Sequence, residues 1–198
     1  FTAGDPTGRP LVLSHGWPEH AYSWRHFIQP LVEEGYFLIV PNQRGYGRSS
    51  CPERVEDYAI EHLTGDLVAL AEHFGHEQAF YLGHDWGAII TIRAASLKPD
   101  LVRTWCVANA LPHPDYKWHS MARMWQTPIL GELITAITRK EQLCKALHAQ
   151  GIPADLASKE ANHWSPHMKK SILRLYRSAK TTGTDWWPET KHLPDRGM

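Results

Sequence analysis

The 198-residue sequence predicts an α/β fold, in which a mostly parallel β-sheet is flanked by helices and carries a helical insertion. Two observations support this prediction. Over the first 110 residues, short and almost wholly apolar segments alternate with segments of helical periodicity, which is typical of parallel strands covered on both faces. From Leu111 to Thr182 helical patterns follow one another without a convincing strand, which indicates an all-helical insertion.

Each predicted element rests on its apolar pattern and on the residues that end it. The predicted strands cover residues 11–15, 36–40, 79–82 and 101–108, and the helices between them cover 20–34, 60–74 and 88–97. Pro41 ends the second strand, Gly75 ends the second helix, and Pro30 is expected to break the last turn of the first helix. Candidate helices of the insertion lie at 117–126, 129–138, 140–149, 154–163 and 167–180. We therefore expect a partial core over 1–110, a helical cap over 111–182 and a return to the core over 183–198.

Composition and charge exclude several classes of partner. The 21 basic residues balance the 21 acidic ones, so the positive field expected of a protein that binds nucleic acid or an anionic membrane is absent. No apolar run approaches the roughly 18 residues of a membrane span, and no signal-peptide pattern is present. The 3 cysteines are widely spaced and lack a Cys-x-x-Cys motif, which predicts neither a disulfide scaffold nor a zinc site and favours a reducing, cytoplasmic location. The histidine pairs at 73/76 and 163/167 do not share a helical face with a carboxylate, so no metal site is predicted.

The segment Gly-His-Asp-Trp-Gly at 83–87 carries the first chemical implication. A predicted strand runs directly into it and a predicted helix follows, so Gly83 and Gly87 would permit a sharp turn that exposes Asp85 at the carboxyl edge of the sheet. This is the pattern of a nucleophile elbow, whose central residue is usually serine. The alternative is that Asp85 merely caps the N-terminus of helix 88–97, a position that aspartate favours.

Two further motifs follow the first two predicted strands. His-Gly-Trp-Pro occupies 15–18, and Arg-Gly-Tyr-Gly-Arg-Ser occupies 44–49. Together with the elbow at 83–87, and in this order, they make the sequence resemble the α/β-hydrolase superfamily over the whole chain, and within it the group of epoxide hydrolases and haloalkane dehalogenases. The resemblance implies the α/β-hydrolase fold with a helical cap inserted after the fourth predicted strand. Asn42 departs from the family pattern, in which this position is typically Asp.

The resemblance also implies a role for each motif. Asp85 is the expected nucleophile, and the backbone N–H groups of Trp17 and Trp86 are the expected oxyanion hole. A carboxylate that attacks an sp³ carbon forms an ester that water can hydrolyse, whereas a serine would form a stable ether, so an aspartate predicts epoxide opening or halide displacement. Neither a metal nor an organic cofactor is required. The residues expected to support the two loops are His15, Gly16, Pro18, Gly83 and Gly87, with a cis bond between Trp17 and Pro18.

Opening an epoxide also needs an acid that protonates the leaving oxygen. Leu-Arg-Leu-Tyr-Arg-Ser at 173–178 resembles the family segment whose tyrosine does this, so Tyr176 is the candidate acid. The alternative is a packed tyrosine in the apolar stripe of an amphipathic helix. A second cap tyrosine is expected earlier in the chain, where Tyr116 is available but matches the family segment less well.

The other members of a catalytic triad are not evident. The family order places an acid and a histidine after the nucleophile, and we expect both beyond Met198, so that the chain is a fragment. Asn109 cannot act as the acid, and His192 and His84 are poor candidates for the base. Three functions stay open: an epoxide hydrolase, a haloalkane dehalogenase in which the indole of Trp86 binds the halide, and a non-catalytic binder on the same fold. The expected ligand is a small apolar or aromatic substrate, with water; the oligomeric state is not predicted.

Overall fold

The computed structural model describes residues 1–110, 113–182, 185, 193 and 197. Its strands are β1 (Thr2–Ala3), β2 (Arg9–Ser14), β3 (Tyr36–Ile39), β4 (Ala79–His84) and β5 (Val102–Ala108). Its α-helices are α1 (Arg25–Glu33), α2 (Ile60–His73), α3 (Trp86–Leu97), α4 (Ser120–Gln126), α5 (Leu130–Ile137), α6 (Lys140–Ala149), α7 (Ala154–Asn162) and α8 (Pro166–Ser178). Short 3₁₀ turns cover Ala21–Trp24 and Glu56–Tyr58. Among the described residues, no helix combines the length and the apolar character needed to cross a bilayer.

The strands form one sheet in the order β1-β3-β2-β4-β5. β2 pairs in parallel with β3 on one side and with β4 on the other, β4 pairs in parallel with β5, and β1 pairs antiparallel with β3 at the edge. The predicted fold class, a mostly parallel sheet flanked by helices, is confirmed. Because parallel strands end at the same edge of a sheet, the register that pairs Ser14 with Gly83 places the ends of β2 and β4 side by side.

Helix α3 fixes the direction in which the chain leaves β4. It packs against β2, β4, β5 and α2, so it is covered on almost every side. Its fully buried apolar residues are Trp86, Ala88, Ile90, Ile92, Ala94 and Ala95. The small alanine side chains let the helix approach the sheet closely, and the buried apolar area holds it there.

The first helix corrects one expectation. Pro30 does not break it, since α1 continues through Pro30 to Glu33. Proline removes one backbone donor, but the N–H of Glu34 still donates to the Pro30 carbonyl at 3.1 Å. The apolar residues of α1 that pack against the buried cluster of β2 and β3 are Ile28, Leu31 and Val32. This packing keeps the last turn helical.

The described chain divides into two compact units. The core unit contains 1–43, 60–110, 113–116 and the described residues from Thr181 onward, and the helical unit contains 44–59 and 117–180. Residues 44–59 thus belong with the helices, although a division of the sequence at Leu111 assigns them to the core. Leu111 itself, and most of the predicted return segment over 183–198, lie outside the described residues.

Hydrogen bonds explain why 44–59 belongs to the helical unit. The Tyr58 hydroxyl and Ser171 Oγ on α8 are 2.9 Å apart, and Ser178 Oγ donates to the Tyr58 carbonyl at 2.8 Å. Gly45 has φ 82°, and a Cβ there would overlap the Ser171 side chain, so only glycine fits this close approach. The segment that follows β3 in the chain is therefore held by α8.

Candidate active site

Asp85 lies in the turn between β4 and α3. Its backbone has φ 53° and ψ −118°, outside the regions that residues other than glycine favour. A Cβ at Gly83 would overlap the Gly87 carbonyl, and a Cβ at Gly87 would overlap the Ser14 carbonyl of the neighbouring strand. The strand, the buried helix and the two glycines therefore hold Asp85 in a strained conformation at the carboxyl edge of the sheet.

Backbone amides from two different loops hold the Asp85 carboxylate. The N–H of Trp17 donates to Asp85 Oδ1 at 2.8 Å, and the N–H of Trp86 also donates to the carboxylate. Asp85 occupies the N-cap position of α3, but its side chain makes no helix-capping hydrogen bond, so its contacts do not favour the capping alternative. Two N–H groups that converge on one carboxylate can stabilise negative charge on its oxygen.

His15 orders the loop that carries Trp17. Its ring is fully buried, and Nε2 accepts a hydrogen bond from the Gln43 N–H at 3.0 Å, so Nδ1 carries the proton and donates to the Gly16 carbonyl at 2.8 Å. Burial lowers the pKa of His15 to about 4, which keeps this tautomer neutral near pH 7. The Gln43 side chain donates in turn to the His15 carbonyl, so Gln43 binds both the ring and the backbone of His15.

Gly16 allows the same loop to approach the elbow. A Cβ at this position would overlap both the Cβ and the carboxyl group of Asp85. Any larger residue at position 16 would therefore displace either the loop or the carboxylate. The Trp17–Pro18 peptide bond is cis, as the resemblance implies.

An ion pair beside Asp85 was missed by the sequence analysis. Glu19 Oε2 accepts from the Gly16 N–H at 3.2 Å and lies 2.9 Å from His84 Nδ1. The hydrogen bond with Glu19 raises the pKa of His84 against the opposing effect of burial. Burial raises the pKa of Glu19, but the hydrogen bond and charge of His84 and the Gly16 N–H outweigh it, and the net pKa is lowered. The only sequence signal is that Glu19 directly follows the His-Gly-Trp-Pro motif and His84 directly precedes Asp85.

Burial also dominates the electrostatics of Asp85. It raises the pKa of the Asp85 carboxyl, while the N–H groups of Trp17 and Trp86 and the charge of His84 act in the opposite direction. Burial and the negative charge of Asp85 both raise the pKa of Tyr116. Tyr116 thus lies near enough to sense the charge of Asp85, and its phenol stays protonated at neutral pH.

Tyr176 belongs to the helical unit, on α8. Its buried ring packs against Trp118, His119 and Trp125, with centroid distances of 5.5, 6.1 and 5.0 Å. The side chain of Gln126 donates to the Tyr176 carbonyl at 3.1 Å. These contacts agree with the packed-tyrosine alternative, and they also fix the ring in one position.

Most of the predicted site residues meet in the core unit. The residues gathered around the carboxylate and its two loops are His15, Gly16, Trp17, Pro18, Gly83, Asp85, Trp86 and Gly87. Tyr176 lies in the other unit, and His192 lies outside the described residues. Asn42 Oδ1 accepts from the Ala21 N–H at 2.9 Å, so an amide oxygen accepts a hydrogen bond at the position where the family has a carboxylate. Within the described ranges, no cluster of His, Cys, Asp or Glu could hold a metal ion.

Known proteins are similar to this chain over part or nearly all of its length. A family model described as alpha/beta hydrolase fold matches residues 9–129. The chain is 30% identical to the AB hydrolase superfamily protein YfhM of Bacillus subtilis, over 98% of this chain and 73% of that protein. It is 50% identical over 100 residues to Epoxide hydrolase A of Mycobacterium tuberculosis, an alignment that covers 50% of this chain and 31% of that protein.

Solved structures give the same picture. The crystal structure of Epoxide Hydrolase A from Mycobacterium thermoresistibile matches with a TM-score of 0.81 and 27% identity, over 96% of this chain and 72% of that one. An epoxide hydrolase from Vigna radiata matches with a TM-score of 0.76 and 25% identity, over 93% of this chain and 70% of that one. Among the curated relatives, the match to Epoxide hydrolase A of Mycobacterium tuberculosis spans about a third of that protein's length.

Substitution by alanine should change the stability of the protein in opposite directions at Gly87, which is crowded, and at Gly65, which is not. Gly87→Ala should destabilise the protein by about 1–3 kcal/mol or more, because the methyl group meets the Ser14 carbonyl, which cannot move without distorting β2. Gly65→Ala on α2 is the control, since a Cβ there meets nothing within 4 Å, and it should stabilise the protein by about 0.5–1 kcal/mol. Denaturant unfolding measures both. Equal effects of the two substitutions would contradict the crowding described here.

The ion pair predicts a pKa that depends on Glu19. NMR titration should place the pKa of His84 above its ordinary value of 6.5, and Glu19→Gln should lower it. Because the Glu19 pKa is lowered and the His84 pKa is raised, the pair stabilises the fold between those two pKa values. That contribution is lost as pH falls through the pKa of Glu19, and again as pH rises through the pKa of His84. Glu77→Gln is the control: it removes a carboxylate near the start of β4, at the end opposite His84, and should leave the pKa of His84 unchanged. If the pKa of His84 is the same in Glu19→Gln as in the parent protein, the ion pair is ruled out.

Proposed function

Because the chain belongs to the alpha/beta hydrolase fold family, we propose that it opens epoxides to diols through a covalent ester on Asp85. The observation that carries this proposal is the carboxylate at the elbow, held by the N–H groups of Trp17 and Trp86 in a backbone conformation that favours glycine. A carboxylate held there, instead of a serine hydroxyl, suits displacement at carbon. The names of the relatives in Mycobacterium and Vigna support the choice of epoxides over other electrophiles.

In the first step Asp85 attacks an epoxide carbon. The N–H of Trp17 holds Oδ1, so we assign the attack to Oδ2. A bond forms between Oδ2 and that carbon while the carbon–oxygen bond of the ring breaks, which leaves an alkyl ester and an alkoxide. A proton from an acid converts the alkoxide to the first hydroxyl of the product.

In the second step water hydrolyses the ester. Water adds to the carboxyl carbon of the ester, negative charge develops on Oδ1, and the N–H of Trp17 already donates to that oxygen. Collapse of this intermediate breaks the bond between the carboxyl carbon and Oδ2, which leaves with one proton of the water as the second hydroxyl of the diol. The other proton of the water restores the acid of the first step, and Asp85 returns to its carboxylate. The resemblance places the activating histidine downstream of the elbow, and we assign none of the described residues to that role.

We assign the acid role to two tyrosines. Tyr176 comes from the family-like segment at 173–178, and its ring is held by three aromatic neighbours. Tyr116 lies in the same unit as Asp85 and senses its charge, and its phenol is protonated at neutral pH, as a proton donor must be. Both phenols are therefore candidates for the hydrogen bonds that polarise the epoxide oxygen.

The remaining expectations extend the proposal. The substrate is a small apolar or aromatic epoxide, in keeping with the tryptophans around Tyr176. Cys51, Cys106 and Cys144 are free thiols, which suits the reducing cytoplasm that we infer as the location.

Removal of the nucleophile tests the function. Asp85→Ala should reduce diol formation by the full-length protein by at least about 10⁴-fold, because no other group forms the ester. Asp100→Ala removes an exposed carboxylate at the opposite edge of the sheet and should leave the rate unchanged. Halide release from haloalkanes is measured in parallel. Halide release without diol formation would favour a dehalogenase, and neither product would favour a non-catalytic binder.

Deletion of single hydroxyl groups tests the acids. Tyr176→Phe and Tyr116→Phe keep the rings and remove one O–H each, and a lost general acid lowers the rate by roughly 10²–10⁴-fold. We expect slower epoxide opening in both variants with unchanged folding. Tyr36→Phe, at a ring packed between Arg9 and Phe80 away from the elbow, is the control. A tyrosine whose variant turns over epoxide at the control rate is a packing residue.

A further inference from the structure

Helix α5 of the helical unit buries small residues and exposes large apolar ones, whereas an ordinary helix of a globular protein buries its large apolar residues. Gly131 and Thr135 face the protein interior, whereas Ile129, Leu133 and Ile137 are 75%, 58% and 70% exposed. Leu133 and Ile137 lie four residues apart and share one face of the helix, and the exposed Ile129 occupies its N-cap position. We call Ile129, Leu133 and Ile137 the α5 stripe.

The inward face of α5 has no room for a large side chain at position 131. A Cβ at Gly131 would already crowd the Trp125 carbonyl and the Leu173 side chain, so a large residue cannot turn inward here. Thr135 Oγ1 is satisfied within the helix by the Gly131 carbonyl at 2.9 Å. Ile129 has φ 69°, which a β-branched residue adopts only at a cost, and this strained backbone still presents an exposed apolar side chain. Small residues on the inward face let α5 pack closely against its neighbours, and the large apolar side chains therefore lie on the outward face.

Positive charge flanks the stripe. Arg123 lies in the last turn of the preceding helix, and Arg139 and Lys140 follow α5 after Thr138; all three are exposed. Glu132 is the single acid between Ser120 and Lys140, and the exposed Glu141 comes directly after Lys140. Arg177 binds Glu132 through two hydrogen bonds of 2.6 and 2.8 Å and lowers its pKa to about 2, so this carboxylate is paired within the unit.

We propose that the α5 stripe and its flanking cations form a docking surface for an anionic phospholipid bilayer. An amphipathic helix with apolar residues on one face and basic residues beside them lies in the plane of the membrane interface, where the cations meet the phosphates. The zero net charge of the whole chain predicted no membrane partner, but charge segregated at one helix is compatible with that balance.

Vesicle flotation tests the proposal. The protein is mixed with vesicles of phosphatidylcholine alone, and with vesicles of phosphatidylcholine and phosphatidylglycerol. We expect binding to the mixed vesicles, weaker binding to phosphatidylcholine alone, and a decrease as salt is added. The double variant Leu133→Glu, Ile137→Glu should lower partitioning at least about tenfold, since burial of each side chain is lost. Both residues are exposed, so circular dichroism should show an intact fold.

Two further variants make the result specific. Phe27→Glu alters an apolar side chain on α1 that is 49% exposed, and it should bind vesicles like the parent protein. The double variant Arg123→Gln, Lys140→Gln should lose the preference for phosphatidylglycerol. The proposal is overturned if the parent protein does not float with mixed vesicles, or if Leu133→Glu, Ile137→Glu floats equally well. It is also overturned if the stripe variants abolish a dimer in sedimentation while lipid binding is absent.

Discussion

The hydrogen bond from the Trp17 N–H to Asp85 Oδ1 is the interaction on which the site depends. It joins the loop after β2 to the turn after β4, and it exists only because the two strands are paired in parallel and end together. Gly16 and Gly87 remove the side chains that would separate the two segments, and α3 is too deeply buried to yield. The strained backbone of Asp85 is thus stabilised by the packing of the sheet.

The groups around this contact hold it in place by burial and charge. His15, neutral and fully buried, fixes the Trp17 loop through Gly16 and Gln43. Glu19 adds a second link, because its carboxylate binds both the Gly16 N–H and His84. The carboxylate of Asp85 therefore sits in surroundings where its pKa is raised by burial while two amides and His84 favour its charged form. Such perturbed carboxyl groups cluster at functional sites.

The sequence predicts what depends on local pattern and misses what depends on tertiary contact. Strand and helix positions followed from apolar periodicity to within a few residues, and the motifs at 15–18 and 83–87 identified the residues that meet at the elbow. The Glu19–His84 pair could not be found, because the two residues are 65 apart and only the β2–β4 register joins them. β1 is two residues long, too short to show an apolar period. The sequence of α5 has the periodicity of an ordinary amphipathic helix, so it does not predict that the apolar face lies toward solvent.

Formation of the ester on Asp85 is tested most directly by oxygen labelling. A single turnover with enzyme in excess over an epoxide is run in ¹⁸O-water, and the diol and the peptide that contains Asp85 are analysed by mass spectrometry. Attack by Asp85 gives a first diol without label from the solvent, and hydrolysis of the ester leaves ¹⁸O in the Asp85 carboxylate. A labelled diol in the first turnover, with no label at Asp85, would mean that water attacks the epoxide directly and would contradict the mechanism.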